Sequence, residues 1–529
     1  MTEEKRVYVR KASGLVRAIG AFGALAVCIG AVSPGSGRFL ALIGAISWPG
    51  LIVPLWLLIG AVMCFFHAML YAQIGGAMPR SGGDYVFVNR VIHPVIGFMM
   101  SFTFMVTMAF TIGGAVVPDV VFRGIGFGAW SLGVVTNNPG LVSWGIEISN
   151  SPTWWFIIGT IAMVIALLIM VAPTKVWLRI YEVALILSII TAIAMGIIFA
   201  LNSHVDFVAA WNRLLPNVAY STFISTAENL GCPIGVPSDI AATISGAVLA
   251  FWIYLGYQYA VNFAGEIKEA TKSIPIAVIG SLILALFAHE IVYFFAVPVV
   301  TDDFLRAAGW LFYVERGALP IGFTGVDFAS FLLFPNPVWV ILVSGTTVLT
   351  IVAFWMTAML TFSRTMFAWS FDRILPSKAA YVTARTRTPL ISMIVGFVII
   401  ELGVAVACFM GPALVHFNWL FVATLMTCIA AIAGIVFPLK KNLFELAPSY
   451  VKKGKLISIM GAITLGIFIF MAYTILALPA IYGPVTEWTI AWVVGLMALA
   501  AIIYYASRWY HLKTEGIDIT LASKEIPPA

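Results

Sequence analysis

Charge is the scarcest property of this chain. Only 10% of its 529 residues are Asp, Glu, Lys or Arg, whereas 62% are hydrophobic, and the mean hydropathy is +1.03. Ordinary globular domains carry about 25% charged residues, which cover a surface that faces water. The shortage of charge therefore excludes an ordinary water-soluble protein.

Cysteine is also scarce, and the five cysteines form neither a disulfide framework nor a CxxC metal motif. The pair His289-Glu290 resembles part of a metalloprotease helix, but the second histidine of HExxH is missing. We therefore expect no metal, no cofactor and no enzymatic activity. All but one of the cysteines lie within apolar runs, the exception being Cys232 among Cys28, Cys64, Cys232, Cys408 and Cys428.

Long apolar runs are what the chain has in abundance. A helix of about 20 apolar residues spans the roughly 30 Å hydrocarbon core of a membrane. Twelve runs of suitable length predict an all-α polytopic membrane protein with twelve transmembrane helices: 15–47, 51–77, 94–117, 154–172, 178–201, 240–264, 274–299, 337–363, 388–410, 415–437, 456–479 and 487–507.

The distribution of basic residues predicts the orientation of these helices. The charged start MTEEKRVYVRKASG lacks a signal-peptide cleavage site, so we expect it to remain in the cytoplasm. Twelve crossings then place both termini on the cytoplasmic side of the cell membrane. Most Lys and Arg residues fall on the inner side, as the positive-inside rule requires, and the net charge of +6 reflects this topology rather than a nucleic-acid partner. The exceptions are Arg38, Arg123, Arg213, Arg306 and Arg316.

Two of the twelve runs are irregular. The first is interrupted by GAVSPGSG at 30–37, and the sixth contains Gln258 and Asn262 beside Gly256 and Gly265. These runs are five apart, so a second set of five spans enters the membrane from the side opposite to the first, which predicts a 5+5 inverted repeat. The expected division is an N-terminal tail 1–14, a first repeat 15–201, an extracellular loop 202–239, a second repeat 240–437, two further helices 438–507 and a C-terminal tail 508–529.

A break in a spanning helix is a candidate binding site. Backbone groups that are unpaired in hydrocarbon cost several kcal/mol, so a break persists where protein or a water-filled cavity satisfies them. The freed amides after Pro34 suit a carboxylate, and freed carbonyls before it suit an ammonium group or a cation. The alternative is structural, because glycine and proline also allow membrane helices to cross closely or to kink.

Three long connections are expected on the outer side, at about 118–153, 202–239 and 300–336. They are rich in tryptophan, glycine and proline and poor in charge, whereas disordered linkers usually have the opposite composition. We expect an ordered cap over the outer face. A structural lid is favoured over a specific binding role.

Four stretches resemble the amino acid permeases of the amino acid-polyamine-organocation (APC) superfamily. They are YAQIGGAMPRSGGDY at 71–85, YLGY at 254–257 with AGEIK at 264–268 and IP at 274–275, the segment from Ser363-Arg364 to Leu375-Pro376, and RTP at 387–389. The resemblance implies the inverted-repeat (LeuT-like) fold of that superfamily, with helices 1 and 6 discontinuous and two C-terminal helices added. It also implies secondary transport of an amino acid or a related amine.

The resemblance also assigns the candidate substrate site. It implies that the substrate carboxylate lies near the backbone of 30–33 and the amine near the carbonyls of Phe251, Trp252 and Leu255. Trp252 matches a position that holds an aromatic ring over the substrate in some relatives. The candidate substrate-binding residues are Ile29, Gly30, Ala31, Val32, Ser33, Phe251, Trp252, Tyr254, Leu255 and Gly256.

Coupling to an ion leaves two alternatives. Glu290 and Glu401 lie deep within spans, where a carboxyl group is costly and is usually functional or paired. The lysine that proton-coupled relatives place in the fifth span is absent here, where the matching region contains Ser188. Sodium-coupled distant relatives use hydroxyl groups of the eighth span, a role for which this chain offers Thr346, Thr347 and Thr350.

The predicted function is a secondary active transporter that moves amino acids or related amines across the cell membrane by alternating access. Proton coupling is favoured. Sodium-coupled transport, or exchange of amino acids or polyamines, is the alternative within this class. A non-transporting sensor or assembly subunit that holds a partner through the outer loops is the alternative from another class. The expected partners are the substrate, H⁺ or Na⁺, and membrane lipid.

Overall fold

The computed structural model describes residues 14–383, 385–410, 418–453 and 455–524. The predicted N-terminal tail lies outside these residues except for Gly14. Residues 415–417 of the tenth predicted span and 525–529 of the predicted C-terminal tail are outside them as well.

The described chain is almost entirely helical. The first half contains α1 Ala21–Val32, α2 Pro34–Ser47, α3 Val53–Ala77, α4 Asp84–Val91, α5 Pro94–Asp119, α6 Phe127–Val135, α7 Pro139–Asn150, α8 Pro152–Val171, α9 Thr174–Ala200, α10 His204–Leu214, α11 Tyr220–Asn229 and α12 Ile240–Ser245. The second half contains α13 Ala247–Ile253, α14 Ala270–Val300, α15 Asp302–Tyr313, α16 Val326–Leu333, α17 Pro337–Phe371, α18 Leu390–Phe409, α19 Trp419–Val436, α20 Lys441–Phe444, α21 Ser449–Lys452, α22 Leu456–Ala477, α23 Pro479–Tyr482 and α24 Glu487–Glu515.

Eleven helical segments of the described residues are long and apolar enough to cross a membrane, by length and composition. The pair α1 and α2 counts as one of them. The sixth predicted span, 240–264, forms only the short helices α12 and α13 and a 3₁₀ segment, Tyr257–Glu266, so it does not reach that length. In hydrocarbon a helix satisfies its own backbone groups, which explains why the apolar runs fold as helices.

Several helices extend past the ends of the apolar runs. α17 continues to Phe371 and α24 to Glu515, whereas the runs predicted ends at 363 and 507. Hydropathy marks the thickness of the hydrocarbon, but a helix continues into the polar zone wherever its residues favour it. α14 begins at Ala270 rather than 274, with Pro275 in its early turns.

The two irregular segments lie at the centre of the packing. α1 packs against α9, α14 and α17, and α2 packs against α15 and α17. α13 packs against α3, and the 3₁₀ segment contacts both α1 and α14. Long straight helices therefore surround the interrupted ones.

The three long connections each contain short helices, and they pack together on one face. We name this layer the cap, residues 120–151, 203–239 and 301–336. The rings of Trp130 and Phe328 stack with centroids 4.4 Å apart, and the Trp211 ring meets the same Phe328 edge-on at 6.0 Å. Phe223 and Phe304 join the second connection to the third at 5.8 Å. Buried aromatic area thus holds segments that are far apart in sequence.

Candidate functional site

The first irregular segment is interrupted at a single residue. Ser33 lies between α1 and α2 in the left-handed conformation, with φ 50° and ψ 67°. Helical bonding resumes at once, because the Ser33 amide donates to the Ile29 carbonyl at 2.9 Å and the Gly37 amide donates to the Ser33 carbonyl at 3.0 Å. Pro34 has no amide hydrogen, so the Gly30 carbonyl lacks its usual helical donor.

The predicted residues of this segment are all buried. Ile29, Gly30, Ala31 and Val32 form the last turn of α1. Ser33 is 5% exposed, and its hydroxyl group has no hydrogen-bond partner among the described residues. A buried hydroxyl group without a partner is unusual, and a water molecule or a ligand at this place would complete its bonding.

Gly30 is a packing position of this turn. A Cβ atom on it would lie 2.6 Å from a ring carbon of Tyr181 and 3.1 Å from the Ala353 Cβ. The Tyr181 hydroxyl is itself bonded to the Thr357 hydroxyl at 3.0 Å, so the ring has little freedom to move. The side of α1 that carries Gly30 therefore faces α9 and α17.

The second irregular segment contacts the first through Gly256. This glycine has φ +138°, a conformation that side-chain-bearing residues rarely adopt. A Cβ atom on it would lie 2.6 Å from both the Ala31 carbonyl carbon and the Val32 amide nitrogen. The absent side chain lets the two interrupted backbones touch, so the predicted residues 31–32 and 256 do come together.

The side chains between 251 and 255 point to several neighbours. The Phe251 ring packs on Phe468 at 5.3 Å, and the Phe251 carbonyl accepts a weak bond from Cys64 Sγ at 3.5 Å. The Trp252 ring stacks on Trp419 of α19 at 6.3 Å, and both it and Leu255 are partly buried. The carbonyls of Phe251 and Trp252 also accept the amides of Tyr254 and Leu255.

The candidate hydroxyl groups divide into two sets. A Cβ atom on Gly35, in the first turn of α2, would lie 3.0 Å from Thr350 Oγ1 and 3.1 Å from Thr347 Oγ1. These two threonines of α17 therefore border the first interruption. All four hydroxyl groups donate to a carbonyl of their own helix, which is common in apolar helices, so only the approach to Gly35 separates the two sets. Thr346 and Ser188 form the second set.

The two candidate carboxyl groups lie in different places. Glu401 of α18 accepts a hydrogen bond from Thr160 of α8, and neither helix is interrupted. Glu290 is half-buried on α14, and its Oε1 atom has no partner among the described residues. Glu290 thus lies on a helix that packs directly against the interrupted segment α1.

Two buried histidines border the interruptions, and the sequence analysis did not select either. A Cβ atom on Gly37 would lie 3.0 Å from His289 Nε2, so this ring lies against the first turns of α2. His67 of α3 shares a hydrogen bond of 2.7 Å between its Nδ1 and the hydroxyl group of Tyr257 in the 3₁₀ segment. Both Nε2 atoms are buried without a partner among the described residues. The sequence carried a signal for both histidines, because an ionisable side chain within an apolar run indicates function.

The stretches that resemble the permeases contain a buried ion pair. Glu266 ends the 3₁₀ segment, and its carboxylate accepts two bonds from Arg364 of α17, at 2.7 and 3.0 Å. The side chains are 2% and 1% exposed. The Glu266 carbonyl also accepts the Ile19 amide at 3.0 Å, so the chain preceding α1 is joined to the end of the second interrupted segment.

A second buried ion pair lies on the cap side. The Arg38 guanidinium group of α2 donates to the Asp327 carboxylate of α16 at 2.8 Å. The backbone carbonyl of Arg38 accepts a hydrogen bond from the Tyr293 hydroxyl group at 2.5 Å. Each interrupted segment is thus attached to a neighbouring helix by one buried ion pair, Arg38 with Asp327 and Glu266 with Arg364. Removal of one partner of such a pair would leave a buried, unpaired charge, which costs about 3–5 kcal/mol.

Comparison with known proteins agrees with this architecture. A sequence profile described as "Amino acid permease" matches residues 19–503. The glutamate/serine transporter AimA of Bacillus subtilis (strain 168) is 24% identical over 301 residues, which cover 56% of this chain and 50% of that protein. The branched-chain amino acid permease BcaP of the same organism is 23% identical over 393 residues, 72% of each chain.

Human Asc-type amino acid transporter 1 is more similar over a short region, at 34% identity across 89 residues, or 16% of this chain and 17% of that protein. The matched region thus spans about half of AimA and a larger part of BcaP. The profile covers most of the chain, and the relatives are transport proteins rather than enzymes. The chain belongs to the amino acid permease family of the APC superfamily.

Proposed function

We propose that this protein is a secondary active transporter that moves amino acids, or related amines, across the cell membrane by alternating access. The observation that carries the proposal is the contact of Gly256 with the backbone at Ala31 and Val32, where the two interrupted segments meet. Family membership supplies the substrate class at a coarse level. The relatives named above differ in the amino acid that their names give, so the substrate panel must be broad.

The proposed substrate site lies between the two interruptions. The Ser33 hydroxyl group, which has no partner among the described residues, and the amide end of α2 favour a carboxylate there. Carbonyl groups around 251–255 favour the substrate ammonium group, although several of them already accept helical bonds. This assignment extends the site from Ile29 to Ser33 and from Phe251 to Gly256.

The topology belongs to the proposal as well. We infer twelve spans, with α12, α13 and the 3₁₀ segment as the sixth, and a 5+5 inverted repeat of 15–201 and 240–437 followed by two helices at 438–507. The termini are placed in the cytoplasm, and the cap is placed outside. The positions of the two interruptions, five spans apart, and the bias of Lys and Arg support this arrangement.

Proton coupling is the proposed source of energy. Glu290 is the preferred proton carrier. Its side chain is half-buried on α14, which packs against α1, and its Oε1 atom has no partner among the described residues. The alternative, sodium coupling, has the support of a different observation, namely that Thr347 and Thr350 lie close to Gly35. Glu401 also has one oxygen without a partner among the described residues, but it is not preferred because it lies on the uninterrupted helix α18 beside Thr160 of α8. Thr346 is not preferred because Thr347 and Thr350, not Thr346, approach Gly35.

The test is uptake into proteoliposomes that contain the purified full chain. Radiolabelled amino acids and polyamines are supplied with an imposed proton gradient, with a sodium gradient, or with unlabelled substrate inside. We expect uptake driven by the proton gradient. If no compound enters under any of the three conditions, the transport proposal fails, and a sensor or assembly subunit becomes the better explanation.

A variant separates the coupling proposals. Glu290→Gln is expected to retain counterflow exchange but to lose at least tenfold of the uptake driven by a proton gradient. Glu182→Gln is the control, since its partner Arg179 lies at the surface of α9. Full gradient-driven uptake by Glu290→Gln would remove that residue from the coupling mechanism.

A further inference from the structure

A cavity of about 140 Å³ lies within the cap, apart from the two interruptions. Its walls carry the aromatic side chains Phe122, Phe127, Trp130, Phe312 and Phe323, and Arg316 lies among its lining residues. All three long connections contribute to the lining. The cavity is therefore a product of the long connections, whose purpose the sequence did not reveal.

One aromatic layer separates this cavity from the first interrupted segment. Phe39 of α2 lies six residues after Ser33. Its ring is 4.6 Å from that of Phe323 and 6.0 Å from that of Phe127, and both of these rings line the cavity. A ligand in the cavity would thus lie next to the rings that cover α2.

The size of the cavity limits what it can hold. An enclosed apolar cavity of about 150 Å³ accepts a molecule the size of benzene and excludes water unless polar groups line it. The cap cavity is of similar volume, but it is partly open, and polar groups such as Ser149, Asn150 and Thr324 line it together with the rings. It therefore fits the side chain of leucine or phenylalanine, while a polar end of the same molecule would remain at the rim.

Arg316 supplies a cation for the polar end of such a molecule. Its guanidinium group lies over the Phe312 ring at 5.1 Å and donates one bond to the Ser149 carbonyl at 3.1 Å. Among the described residues it has no carboxylate partner. Three other arginines on the cap side do have one, since Arg38 pairs with Asp327, Arg123 with Asp119 and Arg306 with Asp303.

The surroundings of Arg316 favour an anion. A guanidinium group has five N–H donors in a planar fork that matches a carboxylate. One backbone carbonyl uses only one of these donors, so the site can still accept a bidentate carboxylate.

We propose that the cap cavity is a second binding site, which holds an apolar amino acid by its carboxylate on Arg316 with its side chain among the aromatic rings. The site captures the substrate on the cap face before the substrate reaches the interruptions. Its biological role rests on the proposed transport function. Its chemistry does not, because Arg316 and the rings would also bind a monocarboxylate that has an apolar tail and no amine.

The first experiment uses 4-methylpentanoate, which is leucine without its amino group, and L-leucine as probes. Binding to the purified full chain in lipid nanodiscs is measured by ligand-detected saturation-transfer NMR. We expect 4-methylpentanoate to bind to the wild type and to lose at least tenfold in affinity in Arg316→Gln. For L-leucine, which also binds at the proposed site between the interruptions, we expect the same variant to lose the part of the binding that 4-methylpentanoate displaces. Arg213→Gln is the matched control, an exposed arginine of α10 outside the cavity, and is expected to bind both probes as the wild type does.

A second variant tests the cavity without changing the charge. Ile146→Trp adds an indole to the cavity lining and leaves Arg316 in place. We expect it to weaken binding of 4-methylpentanoate, and the L-leucine binding that 4-methylpentanoate displaces, at least tenfold while the thermal midpoint stays near that of the wild type. Unchanged binding in both Arg316→Gln and Ile146→Trp overturns the proposal. Binding of 4-methylpentanoate without Arg316-dependent binding of L-leucine also overturns it, because the site would then not recognise an amino acid.

Transport is scored separately. In proteoliposomes, Arg316→Gln is expected to raise the KM for L-leucine at least fivefold with little change in the maximal rate, because the interruptions are untouched. Absence of any transport by the wild type would contradict the proposed function and leave the binding result standing. Normal KM in Arg316→Gln, in a wild type that does transport leucine, would remove the cavity from the transport route.

Discussion

The two interrupted segments differ in how they depart from a helix. At the first, one left-handed residue, Ser33, separates α1 from α2, and helical hydrogen bonds resume on both sides of it. At the second, α13 ends at Ile253, Gly256 turns the chain at φ +138°, and a 3₁₀ segment runs to Glu266. The first is therefore a point interruption, and the second is a stretch of ten residues without α-helical bonding.

The difference shows where each segment obtains its stability. A 3₁₀ run of this length is unusual, since its bonds are poorer than those of an α-helix. Partners outside the segment hold it, namely Arg364 at Glu266, His67 at Tyr257 and the amide of Gly82 at the Asn262 carbonyl. The first segment keeps its helical bonds on both sides of Ser33, apart from the one that Pro34 cannot donate to the Gly30 carbonyl. Substitutions around the second segment should thus destabilise the fold more than substitutions at Ser33.

The largest expected effect comes from Arg364→Met. It leaves the Glu266 carboxylate buried without its bidentate partner, which costs about 3–5 kcal/mol of the free energy of unfolding. The measurement is the unfolding of purified protein in detergent, followed by circular dichroism. A double variant, Glu266→Gln with Arg364→Met, removes the unpaired charge and should regain a large part of that loss.

The control for this prediction is Arg179→Met. Arg179 pairs with Glu182 on the surface of α9, with the arginine side chain 77% exposed. Exposed pairs of this kind contribute less than about 1 kcal/mol. Equal destabilisation by the two variants would contradict the view that the second segment depends on its partners.

Gly256→Ala is expected to cost about 2–3 kcal/mol and to abolish transport. Its φ of +138° disfavours a side chain, and the new Cβ atom would be 2.6 Å from the backbone at Ala31 and Val32. Both thermal unfolding and proteoliposome uptake measure this. Gly235→Ala provides the comparison, because it has φ +71° but no atom within 4 Å of the new Cβ atom, so only backbone strain remains.

Tyr257→Phe should have a smaller effect, about 1–2 kcal/mol. It removes the hydroxyl group that is bonded to His67 Nδ1 at 2.7 Å and leaves a buried ring nitrogen unsatisfied. Tyr473→Phe, at an exposed tyrosine of α22, should be neutral in the same unfolding assay. A neutral Tyr257→Phe would indicate that His67 does not support the 3₁₀ segment.

The smallest effect on stability is expected for Ser33→Gly, a change of less than about 1 kcal/mol in either direction. Glycine relieves the left-handed conformation but increases the entropy of the unfolded chain, and these terms oppose each other. Substrate affinity, measured by binding to the same protein, should fall because the free hydroxyl group is lost. Destabilisation beyond about 2 kcal/mol would show that the first segment also relies on its central residue.

The sequence was informative about elements and less so about contacts. The stretch 30–37 was recognisable as an interruption, and the structure narrows it to Ser33 before Pro34. Glu266 and Arg364 both belong to stretches that resemble the permeases, yet their pairing joins positions 98 residues apart. His289 was visible beside Glu290, but nothing in the sequence indicated that its ring lies against Gly37.

The sequence by itself determined that the chain forms long apolar helices and that two of its apolar runs are irregular. In hydrocarbon the backbone must form its own hydrogen bonds, so an apolar composition is sufficient to predict helices. The positions of proline and glycine are sufficient to predict where a helix is irregular. Only the tertiary structure decided that Gly256 touches Ala31, that Arg364 binds Glu266, and that Arg316 lies at an aromatic cavity in the cap. Membrane helices are apolar on their lipid-facing and protein-facing sides alike, so periodicity does not reveal which faces meet.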